Sequence, residues 1–120
     1  CGHNDLRDVE THIKSGDKRA ELALNMYVYR LVKYIGAYFT VLPRTDALIF
    51  TAGIGENSHN IRKLVCEKLT HLGFELDDKI NQNSHGKISV ISKANSKHKI
   101  LVIPTDEELE IATITQELIK

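Results

Sequence analysis

Apolar positions along this chain fall into runs of two different periods, separated by short polar stretches. Residues 1–16 carry few apolar side chains, with glycines at Gly2 and Gly16, and read as a loop followed by a short helical turn over 7–14. The spacing then changes. Ala23, Met26, Tyr27, Arg30, Leu31, Tyr34, Ile35 and Tyr38 recur at steps of three and four, which predicts a long helix over 18–40. Asp17 is placed to cap it, because its carboxylate can accept from the first free backbone N–H groups. Pro43 stops it, having no N–H to donate. Leu22, Leu24, Val28 and Val32 fill other faces, and a helix apolar on most sides is expected between layers or at a subunit interface. Tyr27, Tyr34 and Tyr38 share a face and are assigned to that packing.

The run "DALIFTA" is short, rich in strand formers and apolar without alternation, which fits a buried parallel strand. Beyond Gly53 and Gly55, the positions Ile61, Leu64, Val65, Leu69 and Leu72 mark one stripe of a second helix. Asn57 or Ser58 is its cap, and Gly73 ends it in the left-handed geometry glycine tolerates. Residues 73–87 are polar and turn-rich, with one short extended piece over 74–76. "KISVIS" and "KILVIPT" are strand-like, the second apolar throughout. "TDEE" from Thr105 to Glu108 has the form of a capping box and opens a last helix. The order is helix, strand, helix, strand, strand, helix, the alternation of an α/β layered domain. Ligands of such sheets bind beyond the C-terminal strand ends. Residues 53–57 and 105–108 fall there.

Length and charge narrow the class. The 120 residues fit one domain, with 42% hydrophobic and 27% charged side chains. Sixteen basic residues balance sixteen acidic ones, so no net field draws the chain to nucleic acid or an anionic membrane. No apolar stretch approaches the roughly 20 residues that span a bilayer. The two cysteines, Cys1 and Cys66, do not make a disulfide framework, and a reducing cytoplasm is expected. The opening "CGHNDLRD" resembles the inside of a loop, so the chain is expected to be a piece of a longer protein.

Three chemistries compete for Gly53, Ile54, Gly55, Glu56 and Asn57. Glycine lets backbone approach a ligand with no Cβ in the way, and the helix that follows presents free N–H groups. A plain steric turn needs no ligand at all. A Walker loop is excluded, because the lysine it requires is absent. A dinucleotide fingerprint is weakened by Ser58 at the third glycine position, though Asp77 stands where a ribose acid would. Asp106 and Glu107 at a helix start suit the helix dipole, or a magnesium ion that takes few carboxylates and keeps its waters. Asp5 and Arg7 flank Leu6 and make an exposed salt bridge or a ligand contact. None of the six histidines is spaced as a zinc ligand, so no structural metal is expected. There is no nucleophile elbow.

Together "DLRDVE", "GDKRAELALNMYVYRLVKYIGAY", "DALIFTAGIGENS" and "VIPTDEELEIA" resemble, in order, the C-terminal part of the acetate and propionate kinase family. The resemblance covers essentially the whole chain. It implies an α/β fold of the actin, hexokinase and Hsp70 class, related to ribonuclease H, with residues 1–120 forming one unit within the C-terminal nucleotide-binding domain of a two-domain kinase. It implies reversible phosphoryl transfer between ATP and a short-chain carboxylate, giving an acyl phosphate and ADP with Mg2+ or Mn2+, in a cytoplasmic homodimer. By that resemblance the nucleotide loop falls on Asp5, Leu6 and Arg7, with Leu6 replacing an aromatic. The adenosine loop falls on Gly53, Ile54, Gly55, Glu56 and Asn57, and the magnesium-associated carboxylate on Glu107. Asp106 replaces an asparagine and adds a charge there.

The family's carboxylate pocket, catalytic arginines and histidine lie on sequence that would precede Cys1. No catalytic residue is therefore assigned within the segment, and it is not expected to turn over alone. Two other readings stay open: a non-catalytic dimerisation or partner-binding module of the same fold, and a dinucleotide-binding domain that uses Asp77.

Overall fold

Helix starts in this chain are set by side-chain oxygens. In the computed structural model, which describes residues 1–119, Asp5 caps α1 (Leu6–Lys14) by accepting from Arg7 N. Asp17 caps α2 (Lys18–Val41) by accepting from Arg19 N and Ala20 N. Ser58, Asp77 and Asp106 do the same for α4 (His59–Leu69), α5 (Asp78–Gln82) and α6 (Glu107–Leu118). Each such cap contributes about 1 kcal/mol. The exception is α3 (Ala52–Asn57), whose preceding Thr51 makes no side-chain cap bond.

The sheet has three strands in the order β1 (Ala47–Phe50), β3 (Lys99–Val102), β2 (Ser89–Val90). β1 and β3 are parallel, with Ala47 opposite Lys99 and Phe50 opposite Val102. β2 runs antiparallel to β3. Parallel pairing ends both strands at one edge, where Ile103 N donates to Phe50 O at 3.0 Å. The segments that follow, α3 and residues 103–106, therefore emerge side by side.

Helices α2 and α4 pack on each other and on one face of the sheet. Val28, Ile61, Val65, Phe74, Ile100 and Val102 are almost completely removed from water there. Cys66 lies in the same layer, and burial pushes its thiol up to about 12, so it is inert.

Four expectations are corrected. The buried stripe of α2 is Ala20, Leu24 and Val28, with Leu31, Val32, Ile35 and Phe39 partly covered. That is about a quarter turn from the spacing-derived face. Met26, Tyr34 and Tyr38 stay exposed, because α1 and α4 cover only the other side. β1 is not buried on both faces. Ile49 is 51% exposed, since no described element covers that side of the sheet. Residues 52–57 are helical rather than an open loop. The cap of α6 is Asp106, not Thr105, whose hydroxyl is taken by Glu56.

Candidate functional site

The site begins at the end of β1. Thr51 is extended, then Ala52 takes φ 57, a left-handed backbone that a residue with a Cβ adopts at a cost of roughly 1–2 kcal/mol. The kink turns the chain from the strand into α3 within one residue. Gly55 sits one turn later. A Cβ there would lie 3.1 Å from the Phe50 carbonyl carbon, so α3 rests directly on the strand end. A Cβ on Gly53 would meet nothing within 4 Å. The two glycines thus do different jobs: Gly55 permits the packing, and Gly53 leaves open space. Asn57 Nδ2 donates back to Gly53 O at 2.8 Å and closes the turn.

Gly53, Ile54 and Asn57 face a cavity of about 610 Å3 that also takes in Asp5, Leu6, Arg7 and Glu10. Its wall continues through Ser58, His59 and Asn60, the start of α4. The first turns of α1 and α4 therefore converge on one space, each with free N–H groups and a partial positive charge. Asn60 Nδ2 donates to Glu10 Oε1 at 3.1 Å and ties the two helices together. Six of the eight nucleotide candidates line this cavity. Gly55 and Glu56 do not, nor does Asp77, which is spent on capping α5.

Asp5 and Arg7 form a two-pronged ion pair, with Nη2 to Oδ2 at 2.6 Å and Nε to Oδ1 at 3.1 Å. The Arg7 guanidinium and backbone N–H hold the Asp5 carboxyl down at about 2. The pair is exposed, so it contributes little to stability. Its effect is positional: Asp5 is the α1 cap, and it fixes where the Arg7 cation stands at the cavity mouth.

Glu56 plays a bracing part. Its Oε1 accepts from Thr105 N at 2.9 Å and from Thr105 Oγ1 at 3.0 Å. That links the glycine corner to the approach of α6, the link the parallel register makes possible. Glu107, in the first turn of α6, is exposed. A single carboxylate of this kind matches the way magnesium is held, by one or two acids with phosphate oxygens and water. Among the described residues Glu107 belongs to no cluster of three ligating side chains.

Spacing alone missed Arg62. It is fully buried on α4, and its guanidinium donates to Gly55 O at 2.8 Å and Glu56 O at 2.7 Å. It also donates to Asn81 Oδ1 at 2.7 Å and Asn81 O at 2.9 Å. Asn81 Nδ2 in turn donates to His59 O at 2.9 Å. Burial lowers the Arg62 pKa, and among the described residues its hydrogen-bond partners are carbonyl oxygens rather than carboxylates. The signal was present. Arg62 lies three and four residues before Val65 and Cys66, on the apolar stripe itself.

Comparisons with known proteins place the chain in a family and a fold. The model of the acetokinase family matches residues 1–113. An acetate kinase of Campylobacter jejuni subsp. doylei is 61% identical over 119 residues, covering 99% of this chain and 30% of that protein. The crystal structure of Porphyromonas gingivalis acetate kinase superposes with a TM-score of 0.84 at 46% identity, over 97% of this chain and 29% of that one. A Francisella tularensis propionate kinase does so with 0.84 at 45%, over 93% and 28%. The chain spans about 30% of the length of the curated relatives it matches. It has the α/β fold of these kinases, of the actin and hexokinase class, and it belongs to the acetokinase family.

Proposed function

We propose that these residues are the ATP-side part of an acetate-kinase-type phosphotransferase, the C-terminal segment of a longer two-domain enzyme. The observation that carries this is the cavity in which Asp5, Leu6 and Arg7 meet Gly53, Ile54 and Asn57 at the C-terminal edge of the parallel strands. The family membership gives that cavity its chemistry. The nucleotide is held between α1 and the glycine corner. Gly53 offers close approach without a Cβ, and Arg7, steadied by Asp5, supplies positive charge. Asn57 and Arg62 hold the corner in shape. Gly55 and Glu56 serve the same site through packing and bracing. Glu107 supplies a carboxylate to Mg2+ or Mn2+, which when bound would offset phosphate charge.

Phosphoryl transfer depends on positioning and on cationic stabilisation of the moving group. The cavity wall carries one arginine, Arg7. The segment binds and orients; the acceptor carboxylate and the catalytic cations come from elsewhere in the enzyme. A short-chain carboxylate or its acyl phosphate is the other substrate, and a homodimer in the cytoplasm is the working form.

A coupled assay for acetyl phosphate tests this. The full-length protein turns over with ATP, acetate and magnesium, and the 120-residue chain alone does not. Glu107→Gln in the full-length protein lowers magnesium-dependent activity with the fold intact. Turnover by the segment alone, or full activity of Glu107→Gln at ordinary magnesium, overturns the assignment of roles. A folded full-length protein with no kinase activity leaves the binding-module reading in its place.

A further inference from the structure

The loop before α1, the end of α1 and the cap of α2 bring His3, His12 and Asp17 together. One donor atom from each lies within 4.8 Å of the others, and all three residues are half-buried. The His3 and His12 rings stack at 4.0 Å between centroids, 21° from parallel. In sequence they are far apart for a zinc motif, which is why spacing did not reveal them. The reversal of the chain at Gly16, where φ is 90, folds the three onto one corner.

We propose that His3, His12 and Asp17 form a binding site for a borderline transition-metal ion, zinc in the first place. Two imidazole nitrogens and one carboxylate oxygen suit zinc, cobalt or nickel, whereas magnesium prefers oxygen ligands throughout. Three protein ligands leave a fourth position for water. Tetrahedral bonds of about 2.0–2.1 Å set donor atoms about 3.3 Å apart. Closing from within 4.8 Å asks the side chains to rotate and the two stacked rings to splay apart. Asp17 is ready for this. Its Oδ1 is held by Arg19 N at 2.8 Å and Ala20 N at 3.3 Å, which fixes the carboxylate. Those same N–H groups, and the nearby histidines, lower its pKa, so it is ionised at neutral pH.

The site has a structural consequence. His3 stands two residues before Asp5, and an ion would anchor residues 1–5 to the α1–α2 corner. That steadies the segment that presents the Asp5–Arg7 pair to the cavity. The proposal is independent of the kinase reading, because the three ligands lie outside the cavity wall.

The test is a titration of Co2+ and then Zn2+ into the full-length protein, followed by the visible absorption of bound cobalt and by calorimetry. A Cys1→Ser background removes the exposed thiol near His3 as a competing ligand. Wild type is expected to take up one ion that His3→Ala and His12→Ala each lose, with affinity falling at least roughly tenfold, as loss of a ligand or its support does. Asp17→Asn keeps a capping oxygen and is expected to weaken the metal while helix content holds. Equal cobalt binding by a folded His3→Ala/His12→Ala double variant, or no binding by wild type, overturns the proposal.

Discussion

Replacing Arg62 with methionine keeps the length of the side chain and removes the donors. Four oxygens lie 2.7–2.9 Å from the guanidinium: Gly55 O, Glu56 O, Asn81 Oδ1 and Asn81 O. Hydrogen bonds to a charged group contribute about 1.5–3 kcal/mol each. Against their sum stands the desolvation of the guanidinium, several kcal/mol, which methionine avoids. The net loss is about 3–5 kcal/mol, because methionine leaves the four buried oxygens without a donor. The loss should be local, because the bonds join the end of α3 to α5 through α4. Hydrogen exchange on the full-length protein reads this directly. Amides of α3 and α5 should exchange about 10²- to 10³-fold faster, with nucleotide affinity falling by about tenfold as the corner loosens. Arg62→Lys should fall between, since one ammonium cannot serve all four acceptors. Protection within tenfold of wild type in the methionine variant would refute the view that Arg62 holds the corner.

Gly55→Ala places a Cβ 3.1 Å from the Phe50 backbone, so thermal unfolding should show a loss of about 1–3 kcal/mol. Ala52→Gly relieves the left-handed strain at φ 57, set against the greater freedom of glycine in the unfolded chain, and should raise stability by about 0.5–1 kcal/mol in the same measurement. The Asp5 carboxyl is depressed to about 2, so the ion pair's favourable contribution is complete above the ordinary carboxylate range and is lost as pH falls through about 2. An NMR titration should find Asp5 unprotonated at pH 3.5, where free aspartic acid side chains are largely protonated.

The helices and strands were legible wherever one rule acted alone. Asp17 and Pro43 bound α2, Ser58 caps α4, and Gly73 ends that helical run with φ 92. What escaped depended on tertiary partners. The buried face of α2 is chosen by α1 and α4, and its own apolar residues lie on nearly every side. Thr105 and Glu108 satisfy a capping box on paper, but Glu56 reaches Thr105 from 49 residues away and Asp106 takes the cap. From the sequence, the glycine corner reads as a single cradle. Its two glycines are separated only by where their missing Cβ atoms would point, and a lone chain does not reveal that. Six candidates were still brought to one cavity, because the family motifs that nominated them sit at the two ends of that space.

In the proposed function, the cavity between α1 and the glycine corner holds the nucleotide. Calorimetric titration of ADP into the full-length protein carrying Gly53→Val tests it most directly, because a Cβ at Gly53 meets no protein atom and its branches extend from open space. This variant should fold and bind ADP at least about tenfold more weakly, a change of about 1.4 kcal/mol. Unchanged ADP affinity in that folded variant would contradict it.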